Sequence, residues 1–307
     1  MKPEDQTHGP DQAPEAASAS GEPPAEAAAL AIYTPISRRG SFGSRVRDMW
    51  RDLMTARSLA WRLMRRDISA QYRQSVLGVL WVLLSPLATA LVFIILQGRN
   101  VLNLGETSIP YPVYAMMGTI LWQLFATSFG APLLAVSSNQ DILAKVNFPR
   151  ESLILAAGGR LVFELLIKMA LLAVVMAVFR SPVSWWALLS PLAMLALILL
   201  GMSLGLLITP VATLYKDISL ALPHVIMLWF LVTPAVYPAP QAGLFGLIMK
   251  LNPVAPLLTA ARDLATLGVL PEPWLCLGVS LGALVLLILA WTTFRVAMPI
   301  LIERMNA

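Results

Sequence analysis

Six stretches of this chain are each long and apolar enough to cross a bilayer as a helix. That requirement is about 20 residues. The stretches run over about 76–97, 111–136, 153–179, 185–210, 218–237 and 274–298. Charge is scarce elsewhere too, at 13% of the 307 residues against 58% hydrophobic. A soluble domain of this length needs more charge to cover its surface. The expected fold class is therefore an all-α polytopic membrane protein with six transmembrane helices. Pro86 lies inside the first stretch and is expected to kink it.

The basic residues orient these spans. With the N-terminus placed in the cytoplasm, 16 of the 22 Lys and Arg fall inside, four outside (Arg99, Arg180, Lys250, Arg262) and two within the third span. Such asymmetry follows the positive-inside rule and predicts that both termini are cytoplasmic. It also explains the basic balance of the chain without nucleic acid, because the arginines cluster around membrane segments and suit anionic lipid.

Three further regions flank or interrupt the spans. Residues 1–36 are rich in Pro, Ala and acidic side chains and show no apolar period, so a disordered tail is expected. Residues 37–74 reverse the sign, with ten arginines between Arg38 and Arg73. Trp50, Leu53, Met54, Trp61, Met64 and Ile68 recur there at helical spacing. One or two amphipathic helices on the membrane surface are expected, with Ser58 as N-cap of a second piece. Residues 242–267 form two apolar pieces too short to span, separated by Asn252–Pro253. They fit a pair of re-entrant helices set in protein or beside a wet cavity, or a loosely folded external loop. The six-span domain is expected over 75–300, followed by a cytoplasmic end at 301–307.

Several kinds of chemistry find no residues here. Gly-Lys never occurs, so no phosphate-cradling G-x-x-x-x-G-K-[ST] loop is encoded. Any ATP and Mg must then be held by another chain. One cysteine, Cys276, and two histidines make neither a disulfide nor a zinc site. No catalytic residue, metal site or cofactor is expected, and the chain is not expected to be an enzyme. No internal repeat marks an inverted-repeat secondary transporter.

What remains is a set of candidate sites. The polar loop 137–152 is a natural docking surface for a cytoplasmic partner, with Asn139, Asp141, Lys145 and Phe148 as its candidates and a short helix expected from Asp141. Arg160, Glu164 and Lys168 share one face of the third span at i, i+4 and i+8. A charge at mid-bilayer costs roughly 2.5–3.5 kcal/mol, so that face either points into protein or water, or belongs to a part of the helix standing in the cytoplasm. Trp81, Trp122, Phe125, Trp229 and Tyr237 are candidate pathway aromatics. The alternative for them is an interfacial belt.

In order, the pieces Arg66-Asp67, Tyr72-Arg73 with "LGVLW" and Pro86, "NFPRE" (147–151), "YKDIS" (215–219), "TPAVYP" (233–238), "NPVAPLLTAARD" (252–263) and "FRVAMPILIERM" (294–305) resemble the membrane subunits of type-2 ABC polysaccharide exporters. The resemblance covers about 58–305. It implies six spans, an N-terminal interface helix over 58–72, a coupling helix over 138–148 and two external re-entrant helices. It further implies a homodimer with a separate ABC ATPase subunit in the bacterial inner membrane. The substrate it implies is a polysaccharide on an undecaprenyl carrier, such as an O-antigen or teichoic-acid-like polymer. Arg62, Arg65, Arg66 and Arg73 would then be candidates to receive the carrier's pyrophosphate, because the guanidinium fork donates two parallel hydrogen bonds. Anchoring to anionic lipid is the alternative role for each. Rival functions are an ABC exporter of another lipid or a drug, and a membrane enzyme of glycan assembly.

Overall fold

The computed structural model describes residues 42–73, 80–99, 107–145, 148–238 and 243–305. The calls on the tail at 1–36, and on Arg38 and Arg39, lie outside them. Among the described residues every regular element is helical. Five helices of the described residues are long and apolar enough to cross a membrane, with Trp185–Leu214 counted as one.

Helix α1 runs unbroken over Phe42–Arg73. Of the two alternatives, one helix or two, the structure has one, with no break at Ser58. No glycine or proline interrupts 45–73, so one capping hydroxyl has no reason to end the helix. The stripe that meets protein includes small residues, apart from the large apolar ones expected to face the membrane. Ala56 and Ala60, one turn apart, are buried, while Met54 and Trp61 are exposed. Met64 packs so closely on α5 (Glu151–Val178) that a Cβ at Gly159 would strike its sulfur. Small residues on both helices let the backbones approach.

Helix α2 (Leu80–Gly98) continues through Pro86. Helix α3 (Tyr111–Ser137) starts at a proline N-cap, Pro110, and has Pro112 in its first turn, where the missing N–H costs nothing. It is followed by the short α4 (Gln140–Lys145) and then by α5. A single 3-10 turn, Trp185–Leu189, is capped by Ser184, which accepts from the Trp186 N–H at 3.3 Å. It leads into α6 (Ser190–Leu214).

The core lies where α3 crosses α6. Gly201 and Gly205, in the sequence Gly-Met-Ser-Leu-Gly, press against the α3 backbone at Phe125 and Phe129, leaving no room for a Cβ. This is the small-xxx-small contact that lets helices associate where lipid supplies no hydrophobic drive. Of the α3 window 61% is buried, against 12% for α2 and 11% for α10 (Pro273–Met305), so α3 is the central post and the other two are peripheral.

Helix α7 (Lys216–Leu231) is shorter than the expected 218–237 span. Its 16 residues rise about 24 Å, less than the roughly 30 Å of hydrocarbon. The helix stops just ahead of Thr233–Pro234, and 232–238 is non-helical. The stop has a local cause, since the residue before a proline is steered out of the helical region. Helices α8 (Gly243–Leu251) and α9 (Val254–Thr266) form a hairpin before α10.

Candidate functional site

At one end of the bundle α1, α4 and α5 meet α10. Asn139 closes α3 and opens α4. Its carbonyl accepts from the Leu143 N–H at 2.9 Å, and its side-chain amide donates to Ala135 O at 2.8 Å. The remaining acceptor, Oδ1, takes a hydrogen bond from Arg66 Nη2 at 2.6 Å. The same guanidinium nitrogen pairs with Asp67 Oδ1 at 2.8 Å. One side chain of α1 is thereby tied to the base of α4, 73 residues away in sequence. Leu143 is buried and fixes the inner face of α4, while Asp141 and Ile142 are exposed. Phe148 is half-buried against the core. Lys145 ends α4. Where the chain turns back, Glu151 is buried and its Oε1 lies 3.4 Å from Arg295 Nε of α10. The short helix therefore presents Asp141 and Ile142 outward on a base tied to α1, with α5 and α10 linked beside it.

Arg62, Arg65, Arg66 and Arg73 are all exposed. At about 100° per residue they fall within one face of α1, roughly 100° wide. Of the four, Arg66 is the one held by the α4 base.

The charges of α5 separate. Lys168 and Glu164 form an ion pair at 2.6 Å with Lys168 only 2% exposed. Among the described residues Arg160 makes no ion pair with Glu164, and it sits half-buried nearer the α4 end. The i,i+8 face thus holds a buried pair facing protein and a separate cation.

The aromatic candidates also divide. Trp122, Phe125 and Trp229 come together with Phe129, Phe93 and Phe230. Phe125 lies 5.3 Å from Trp229 edge-on, and Trp122 lies 5.6 Å from Phe230. Trp122 and Phe125 are buried in this cluster. Trp81 stands apart and exposed on α2. Tyr237 is half-buried and donates its hydroxyl to Leu231 O at the end of α7.

The opposite end holds the strongest polar cluster of the described residues. Where α7 ends, the carbonyls of Pro234 and Ala235 lose their helical partners. Arg262 of α9 is fully buried and donates to Ala235 O at 2.5 Å and to Pro234 O at 3.4 Å. Its guanidinium carbon lies 3.8 Å from the Tyr114 ring centroid. A Cβ on Gly118 would overlap Ala235 O, so glycine alone admits this turn against α3. Asn252 is the second hub. Its Oδ1 accepts from Trp229 Nε1 at 3.1 Å and from the Val254 N–H at 3.0 Å, capping α9, while its amide donates to Thr233 Oγ1 at 2.8 Å. Ser190 Oγ donates to Ala261 O at 2.7 Å and binds the start of α6 to α9. Sequence reasoning counted Arg262 only as a charge outside and Asn252 only as a turn signal. The usable sign was an arginine in an apolar 13-residue segment that follows a proline-broken one.

Among the described residues no group of His, Cys, Asp and Glu could hold a metal. Residues 58–265 match the family described as "ABC-2 type transporter". The chain is 26% identical over 252 residues to an "O-antigen export system permease protein RfbA" of Myxococcus xanthus, an alignment covering 80% of this chain and 94% of the relative. Another protein of the same description, from Klebsiella pneumoniae, is 26% identical over 208 residues, covering 67% of this chain and 79% of the relative.

Proposed function

Given that this chain belongs to the ABC-2 type transporter family, we propose that it is the permease subunit of an ATP-driven exporter of lipid-linked polysaccharide of the O-antigen kind. The observation that carries this reading is the tie from Arg66 to Asn139, inside the matched region and at the base of a short exposed helix. An ATPase that closes on ATP can push α4 and, through Arg66, shift α1. The chain itself encodes no nucleotide loop, so ATP and Mg belong to a separate ABC ATPase subunit. The chain is a transport subunit rather than an enzyme.

The finer features complete the proposal. Helix α7 with the 232–238 turn is the fifth of six crossings, and α8–α9 re-enter from the outer side as a cap. Both termini are cytoplasmic, and the membrane is the bacterial inner membrane. Two copies form the pathway. In the single chain α2 and α7 leave Leu91, Val92, Ile95, Leu220, Met227 and Leu228 uncovered, faces that a second copy or lipid would cover. The substrate is a polymer on an undecaprenyl carrier, and the exposed arginine strip of α1 receives its pyrophosphate.

Co-purification in mild detergent tests the reading. The expected partner is a soluble protein with a Walker-A loop, lost when Asp141 and Ile142 are both replaced. Deletion of the chain is expected to leave lipid-linked polymer inside the cell and none at the surface. Normal surface polymer after deletion, or a transferase as the stoichiometric partner, would overturn the proposal.

A further inference from the structure

Helices α5 and α6 are joined by a short connection, yet they diverge. Between them opens a cavity of about 420 Å³, within the range of about 300–1,000 Å³ for small-molecule sites. Its walls are Met169, Leu172 and Met176 of α5, Met194 of α6, Met117 of α3 and Ala265 of α9. Unbranched thioether side chains adapt to flexible apolar guests. Of the lining, Ala173, Ala177 and Val183 are exposed, so the mouth opens on an apolar part of the surface of the kind that lipid covers. A void facing lipid forfeits dispersion contacts that a chain entering it would restore.

The rim is polar and cationic. Arg180 and Ser181 both line the cavity. Ser181 is 7% exposed, and its Oγ has no hydrogen-bond partner among the described residues. An unpaired buried hydroxyl costs free energy unless a ligand satisfies it. Arg180 sits at φ 47°, the single described non-glycine residue at positive φ. It occupies the left-handed position of a Schellman cap. The Arg180 N–H bonds Ala177 O at 3.3 Å, and the Ser181 N–H bonds Met176 O at 2.9 Å. Glycine takes that position without strain, so the backbone here favours a residue other than the one present. The side chain itself must supply the gain, and a guanidinium at a lipid-facing mouth suits a phosphate.

We propose that this cavity is a binding site for an anionic glycerophospholipid, with one acyl chain between α5 and α6 and its phosphate held by Arg180 and the Ser181 hydroxyl. On the orientation proposed above, the lipid belongs to the outer leaflet. The site does not depend on which polymer is exported.

The test uses the full chain, purified in detergent, stripped of lipid and offered phosphatidylglycerol or phosphatidylcholine with matched chains. Native mass spectrometry counts the lipids retained. One phosphatidylglycerol per chain is expected, at a concentration at least about tenfold below that needed for phosphatidylcholine. Arg180→Gly removes that preference while raising the unfolding temperature, because glycine relieves the backbone. Ala173→Phe fills the cavity and abolishes retention of both lipids. Equal retention of the two lipids by the unaltered chain would overturn the proposal. So would retention unchanged in both variants. A polyprenyl phosphate that displaces phosphatidylglycerol at equal concentration would overturn the glycerophospholipid assignment.

Discussion

The two ends of the bundle are built from the same kinds of polar residue but hold them differently. At the hairpin end Arg262 and Asn252 are buried, and both bond the broken backbone at Val232–Ala235. At the α4 end Arg66 is 44% exposed on its side chain and bonds two other side chains. A buried charge bonded to main chain has no alternative in water, so the hairpin is fixed. An exposed guanidinium can exchange partners with solvent at small cost. The contrast makes one end rigid and the other an adjustable joint, which suits the proposed drive from the α4 side.

Removing the rigid end's anchor should have the largest effect. Arg262→Met is expected to lower stability by about 3–5 kcal/mol, read as a fall in the thermal unfolding midpoint of the detergent-solubilised chain. A midpoint unchanged in this variant would break the comparison. Asn252→Leu orphans Trp229 Nε1 and removes the α9 cap, and about 2–3 kcal/mol is expected on the same measurement. Gly118→Ala forces the 233–236 turn off α3 and should cost about 1–3 kcal/mol. Arg66→Ala should move the midpoint least, by about 1 kcal/mol or less. It is nevertheless expected to reduce transport strongly, with ATP hydrolysis by the assembled complex persisting uncoupled. Arg66→Ala with transport intact would sever α1 from the coupling path.

Much of this architecture was legible in the sequence because apolar run length is a direct physical requirement of lipid. Five of the six expected spans, the short α4 and the split at Asn252–Pro253 follow from it and from local turn chemistry, while the expected 218–237 span is the shorter α7. Partner choice in three dimensions was not legible. Nothing local tells that Arg66 rather than Arg62 meets Asn139, or that Phe125 packs into a cluster rather than lining a path. The sequence left one helix or two open for α1, because a capping residue such as Ser58 ends a helix only where the following backbone leaves it. The contact stripe of α1 was missed because attention to large apolar residues passes over Ala56 and Ala60, although close helix approach selects small ones. Gly201-x-x-x-Gly205 was a readable signal of the same kind.

The early end of α7 has a consequence for how the protein is made. The carbonyls that Arg262 satisfies lie 28 and 27 residues before it in the chain. When Pro234 and Ala235 are polymerised, their anchor has not yet been synthesised. The segment around Pro234 must wait, shielded by the insertion machinery or by water, until α9 follows and swings in against α3. Biogenesis of this subunit therefore has a built-in order, in which the turn at 232–235 is sealed only after α9 is made and nascent chains cut short before Arg262 are left with an unsealed end.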